Sequence, residues 1–317
     1  MATISSDIHP AISFLQSGEL VAIPTETVYG LAGNALRGDA VAKIFSVKDR
    51  PFFDPLIIHV PDFVSIQQWT LSVPDKAKIL AKQFWPGPLT LLLPRNNVIP
   101  DLVTSGLETV GIRCPDHLLT RQLLRALPFP LAAPSANPFG YISPTTPTHV
   151  QDQLGTKIPY ILDGGECKVG IESTIVGFDG PQVVVYRLGG LSLEKLENAI
   201  GPVEVRLNTS SNPVAPGLLH SHYAPRKRLL LGNLDTLIAE HGSSAAVLAY
   251  KTKRNLVDDT RQRILTPSGN LAEAAQNLFG MLRALDQTDA PIILAEPVPE
   301  IDLGRAINDR LRRAAAG

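Results

Sequence analysis

Cationic, hydroxyl-bearing and small residues recur in this sequence just after short apolar runs. Ile23-Pro24-Thr25-Glu26-Thr27-Val28-Tyr29-Gly30-Leu31 leads a strand-like run into a hydroxyl-rich turn that ends in glycine. Such a turn offers hydroxyl and backbone donors to a small polar ligand, although a capped strand-to-helix turn would read the same way. Lys48 and Arg50 lie two apart in the proline-bounded segment Val47-Lys48-Asp49-Arg50-Pro51-Phe52-Phe53-Asp54-Pro55-Leu56. On an extended segment they point the same way, and two adjacent cations suit a phosphate between them; a solvated charged loop is the alternative. His59 lies on the apolar run that follows, where a lone histidine is more often a satisfied core residue than a ligand-binding one. Arg113 ends Thr109-Val110-Gly111-Ile112-Arg113 and could clamp a carboxylate in bidentate fashion or form a structural ion pair.

Further along, Ala132-Ala133-Pro134-Ser135-Ala136-Asn137-Pro138-Phe139-Gly140-Tyr141-Ile142-Ser143-Pro144-Thr145 is a loop of small donors that lets backbone approach a ligand closely. Asp163-Gly164-Gly165 and Gly170-Ile171-Glu172-Ser173-Thr174-Ile175 repeat the design, and Arg187 closes another strand-like run. Polar loops at strand ends, with three arginines and one lysine among them, suit an anionic small molecule in a cleft. GxSxG, GxxxxGK[ST] and HExxH are absent, which argues against an acyl-transfer hydrolase, a P-loop enzyme and a zincin.

Short strands and helices must position these loops. Helices are predicted over 8–17, 38–45, 74–84, 117–126 and 192–199, and strands over 20–24, 56–60, 89–93, 110–113, 131–133, 160–163, 173–178 and 182–187. This mixture argues for an α/β domain with a twisted sheet over residues 1–206. Residues 207–226, rich in Asn, Ser, Pro and Gly, read as a linker. Strands over 228–231, 245–249 and 291–295 alternate with helices over 234–241, 270–285 and 305–315 in residues 227–317. That alternation predicts a smaller, open parallel sheet.

The 317 residues suit two domains, and 44% hydrophobic with 19% charged residues is an ordinary globular balance. A net charge of −1 lacks the basic excess usual for holding long nucleic acid by its phosphates. Cys114 and Cys167 have no zinc spacing and read as buried free thiols. Neither a signal peptide nor a membrane-length apolar run is evident, so a cytoplasmic location is expected, with no membrane partner.

Taken in order, PTETVYGL, the Lys-x-Arg-Pro loop with PLIIHV, FWPGPLT, GIRCPDH, APSAN, SPT, DGG and GIESTIV resemble the threonylcarbamoyl-AMP synthase family, whose catalytic module is the YrdC-type domain. The segment from Ala215-Pro216-Gly217 to His222-Tyr223-Ala224-Pro225 and the closing Gly304–Arg313 run resemble the family's long form. The resemblance implies a YrdC-like twisted mixed sheet with helices, plus a smaller Rossmann-like open α/β domain at the C-terminus. It implies that L-threonine, bicarbonate and ATP, with Mg²⁺ accompanying ATP, yield threonylcarbamoyl-AMP and pyrophosphate. A separate complex would then transfer the threonylcarbamoyl group to tRNA adenosine next to the anticodon, with no stable tRNA binding required of this chain.

By motif, Thr27, His59, Arg113, Ala133 and Ser173 would line the threonine site. Lys48, Arg50, Asp54, Thr109, Ser135, Asn137, Ser143, Arg187 and Tyr223 would line the ATP site, with Lys48 and Arg50 stabilising the charge that grows at the phosphates. No protein metal ligand is implied. The chain departs from the family pattern at Asp54, where Asn is common, and at Pro138-Phe139 after the Ser-x-Asn motif. Two rivals remain: a non-catalytic module of the same fold that binds tRNA or double-stranded RNA, and an enzyme that adenylates carbamate for another pathway.

Overall fold

A computed structural model describes residues 1–207 and 222–317. The motifs gather on one mixed sheet of eleven strands among the described residues. From one edge to the other its order is Thr3–Ser5, Tyr160–Leu162, Val21–Ile23, Gly30–Asn34, Leu131–Ala132, Ile57–His59, Thr109–Arg113, Leu89–Pro94, Thr174–Asp179, Gln182–Arg187 and Glu204–Val205. Strand Ile57–His59 runs parallel to Thr109–Arg113, with His59 opposite Arg113. Leu89–Pro94 runs parallel to Thr174–Asp179. The two strands that end in His59 and Arg113 are therefore neighbours at the centre of the sheet, and their side chains emerge at one place.

Most predicted elements occur, and their ends follow local chemistry. Helix Ile8–Ser17 starts at Asp7, whose carboxylate accepts the His9 N–H, and stops at Gly18 with φ 85°. Helix Leu271–Asp286 starts at Asn270, whose side chain accepts the N–H groups of Ala272 and Glu273.

Two readings change. The turn after Ile23 leads into a strand, not a helix: Val21–Ile23 pairs antiparallel with Gly30–Asn34, so PTETVY is a hairpin loop. The second helix runs Gly38–Lys48, past Phe45, and is closed by Asp49 in the left-handed region at φ 54°. Lys48 and Arg50 thus flank a helix C-terminus and are not on an extended segment.

The C-terminal sheet is parallel throughout, in the order Leu229–Leu231, Ile293–Ala295, Ala246–Ala249, Gln262–Ile264. Strand Gln262–Ile264 is additional to those predicted. Helices Leu271–Asp286 and Gly304–Ala315 face the first sheet, and one buried apolar cluster includes Leu89, Ile142 and Ile171 together with Phe279, Leu282 and Leu311. Gly170, at φ +78°, lets the loop before Ser173 touch the long helix, since a Cβ there would stand 2.4 Å from Gln276 Cα. Among the described residues no helix is long and apolar enough to cross a membrane. Both cysteines are free and buried. The linker-like run Ala215-Pro216-Gly217 to Ser221 falls outside the described residues, whereas His222 and Tyr223 lie within them.

Candidate active site

A cavity opens where these strand ends and loops meet. Of the expected residues, Thr27, His59, Arg113, Ala133 and Ser173 line it, as do Arg50, Ser135, Arg187 and Tyr223. The hairpin loop is braced from inside by Thr25. Its hydroxyl donates to the Val28 carbonyl at 2.6 Å and accepts the Thr27 and Val28 N–H groups. That brace fixes Thr27, whose hydroxyl lies 2.8 Å from that of Thr25.

Arg113 is oriented from two sides. Its Nη2 lies 2.7 Å from Glu26 Oε2, and its Nε donates to the Gly87 carbonyl at 3.4 Å. The FWPGPLT motif thus supplies a carbonyl that aims the guanidinium. Gly87 itself is anchored by its N–H on the Cys114 carbonyl.

Beside Arg113, His59 is buried, and its Nδ1 has no hydrogen-bond partner among the described residues. Burial, with the nearby Arg113 charge, lowers its pKa to about 3, so the imidazole is neutral at physiological pH. Ser173 is fixed by Thr90, 2.7 Å away between hydroxyls, and by Arg187. That arginine donates through Nη2 to the Ser173 Oγ and through Nε to its carbonyl, each at 3.0 Å. Gly189 makes this close approach possible, because a Cβ there would stand 2.3 Å from the Glu172 carbonyl oxygen.

Of the second group of expected residues, Lys48, Asp54, Asn137 and Ser143 are buried next to those that line the cavity. Lys48 Nζ donates to the backbone carbonyls of Ser135 and Asn137. Burial, reinforced by Arg50, lowers its pKa well below the ordinary lysine value. Arg50 donates to the Asp54 and Pro55 carbonyls and pairs with Asp54 Oδ2 at 2.9 Å. Burial raises the Asp54 pKa against the pull of Arg50, Lys48 and Arg187. Asp54 is therefore a counter-charge to the cation group. Asn137 braces the loop, its Nδ2 donating to the Pro138 and Tyr141 carbonyls. The Phe139 ring lies between Arg50, whose Cζ is 5.9 Å from its centroid, and His222, edge-on at 5.9 Å. Ser143 is buried and donates to Glu172 Oε1 at 2.6 Å.

Thr109 is the one expected residue set apart. It opens the strand that Arg113 closes, which at about 3.3 Å per residue places it roughly 13 Å away along the same face. It lines a second concavity with Leu92, Phe178 and Tyr186. The apolar side chains of Ile57, Leu92, Ile175 and Tyr186 form a floor between the two.

Several residues at the site had no predicted role. Thr25, Glu26, Thr90 and Glu172 sit inside the recognised motifs, so their signal was adjacency alone. His222 lines the cavity with Tyr223, and both rings are buried. Arg310 reaches Glu172 from the last helix, 138 residues along the chain; it lies in the recognised Gly304–Arg313 run, where no role was expected of it.

Comparison with known proteins then decides the lineage. Residues 13–189 match the family model described as Telomere recombination, and residues 191–316 match the one described as Threonylcarbamoyl-AMP synthase, C-terminal domain. A Pyrococcus abyssi protein named threonylcarbamoyl-AMP synthase is 39% identical, over 97% of this chain and 94% of its own length.

The chain belongs to the threonylcarbamoyl-AMP synthase family.

A Bacillus subtilis synthase of that name is also 39% identical, over 100% of this chain and 95% of its own. The crystal structure of Pyrococcus abyssi Sua5 complexed with L-threonine superposes with a TM-score of 0.92. It is 38% identical, over 99% of this chain and 97% of that one. This synthase chain therefore shares both sheets and their mutual arrangement with a threonine-bound relative.

Proposed function

We propose that this chain condenses L-threonine with bicarbonate and adenylates the product with ATP, giving threonylcarbamoyl-AMP and pyrophosphate. The observation that carries the reading is the convergence of Arg50, Arg113 and Arg187 on one cavity, with Lys48 buried behind it, in a family member. Arg113 takes the threonine carboxylate, for which its planar fork is suited. Thr27 and Ser173 offer hydroxyls, and the Ala133 backbone closes that side.

Neutral His59 presents a ring nitrogen to the threonine amine. With a pKa near 3 it lies roughly five units below an ordinary α-amino group, so it orients the amine without taking its proton. The deprotonated amine attacks the bicarbonate carbon, water leaves, and the resulting carbamate oxygen attacks the α-phosphorus. Pyrophosphate departs as negative charge grows on the phosphate oxygens. Lys48, Arg50 and Arg187 stabilise that charge in a dry setting, where fixed cations act most strongly. In the free enzyme they rest on internal carbonyls and on Asp54, so the site is not left as a cluster of bare charges.

Mg²⁺ is proposed to enter with ATP. Among the described residues no group of three or more His, Cys, Asp or Glu side chains is placed to hold a metal. Glu26, Asp54 and Glu172 are each paired with an arginine. Mg²⁺, which keeps its waters and favours phosphate oxygens, would screen the triphosphate. The labile product is proposed to pass to a separate complex that modifies tRNA adenosine next to the anticodon, so stable tRNA binding is not required of this chain.

The test is pyrophosphate release from ATP, Mg²⁺ and bicarbonate, with and without L-threonine. Release that depends on threonine supports the reading. ATP binding without release would leave a non-catalytic, RNA-holding role as the better account.

A further inference from the structure

Arg310 is a fully buried arginine on the last helix, at 0% exposure, yet its charge is directed at the other sheet. Its Nε donates to Glu172 Oε2 at 3.1 Å and its Nη1 to the Leu188 carbonyl at 2.6 Å. Nη1 also meets Asp309 Oδ2 at 2.9 Å, but Asp309 is shared with Arg313. Glu172 lines the cavity, and its other oxygen accepts the Ser143 hydroxyl at 2.6 Å. The Arg310 guanidinium also lies over the Tyr223 ring, 5.2 Å from its centroid, and Tyr223 stacks on Phe279 of the neighbouring helix. From the C-terminal half, Arg310 thus touches both a carboxylate of the cavity wall, which also accepts the Ser143 hydroxyl, and an aromatic ring of that wall.

We propose that Arg310 is a positioning residue for the nucleotide. It neutralises Glu172 in the cavity wall, so that a triphosphate meets no uncompensated negative charge, and it fixes Ser143 and Tyr223 through its contacts. The proposal rests on the synthase reading given above. A buried carboxylate that loses its paired arginine keeps its charge or takes up a proton, and either change disturbs the wall. The electrostatic consequence has a sign. ATP is a polyanion and is repelled by an unpaired Glu172, whereas threonine is zwitterionic and is clamped elsewhere, by Arg113.

The experiment measures dissociation constants of the full chain for α,β-methylene-ATP, which cannot be cleaved at the reacting bond, and separately for L-threonine. Arg310→Met should weaken the nucleotide analogue by roughly tenfold or more, as expected when a buried charge loses its partner, and leave threonine within about twofold. The double variant Glu172→Gln, Arg310→Met removes both charges and should bring the analogue back to within about threefold of the parent. Glu172→Gln alone, which leaves Arg310 beside Asp309, should bind the analogue at least as tightly as the parent; this variant also carries the test if Arg310→Met does not fold. Equal loss of both ligands in Arg310→Met, no recovery in the double variant, or weaker analogue binding in Glu172→Gln would reduce Arg310 to a purely structural contact and overturn the proposal. A parent protein that binds neither ligand would overturn the synthase reading itself, which separates the two failures.

Discussion

Lys48 is proposed to meet an anion when the nucleotide binds. It is buried, donates to two backbone carbonyls and has a pKa depressed first by burial and then by Arg50. A triphosphate beside it would favour the charged ammonium against burial and the Arg50 charge. Lys48→Met should therefore lower kcat/KM by about 10²–10³, the scale on which a fixed charge-stabilising donor acts. Its far-ultraviolet circular dichroism should stay that of the parent; activity within a few-fold of the parent would remove Lys48 from the site.

His59 makes a second claim at this scale. Its folded pKa near 3 lies below the unfolded value of about 6.5. Between these values the unfolded chain binds more protons, so stability falls as pH drops through that window and is fully regained above about 6.5. His149, lowered to about 4 mainly by burial, adds to the same slope. Urea midpoints measured from pH 7 to pH 4 should decline less steeply in His59→Asn than in the parent, and identical slopes would show that His59 is not buried neutral. Nine of the residues that line the cavity were legible because the motifs name them. Thr90 and Glu172 were not, since their importance is a hydrogen bond to Ser173 or Ser143 that sequence adjacency does not reveal.

At the level of elements, the strands and loops that carry the site follow the apolar runs, and their misreadings have local causes. The predicted helix ends at Phe45, where the run of fully buried apolar residues stops, with Val47 only partly buried beyond it. The chain nonetheless stays helical for three more residues until Asp49 turns left-handed. Gly30–Asn34, with two glycines in five residues, carries no strand expectation, yet every residue of it is buried and paired. Helix Pro147–Leu154 has a signal within its own sequence, a Thr146 cap with proline in the first turn.

Gly189 marks how tightly these elements are fitted. Its absent Cβ would lie 2.3 Å from the Glu172 carbonyl oxygen and 2.4 Å from the Ser173 carbonyl carbon. Gly189→Ala should cost about 1–3 kcal/mol, as overpacking commonly does, and should raise the KM for threonine by displacing Ser173. A urea midpoint and a threonine KM both unchanged from the parent would contradict this.

For the whole molecule, the alternation of textures foretold two sheets but not their union. The contacts between them join residues more than a hundred positions apart. Tyr141 donates to Asp286 at 2.7 Å, Arg305 meets Glu194 at 2.5 Å, and Arg283 donates to the Ile142 and Ser143 carbonyls. With an apolar cluster continuous across the boundary, the two halves should unfold together. Calorimetry is expected to give one transition for the parent and a split or broadened one for Arg283→Met, while two well-separated transitions in the parent would show that the halves are energetically independent.

The central claim is that one cavity joins three substrates into one adenylate. Its most direct test is mass spectrometry of the nucleotide formed from ATP, L-threonine and ¹³C-bicarbonate, quenched at early times. The account predicts threonylcarbamoyl-AMP that carries the labelled carbon, formed in step with pyrophosphate. An adenylate without the label, or AMP alone with threonine untouched, would contradict it.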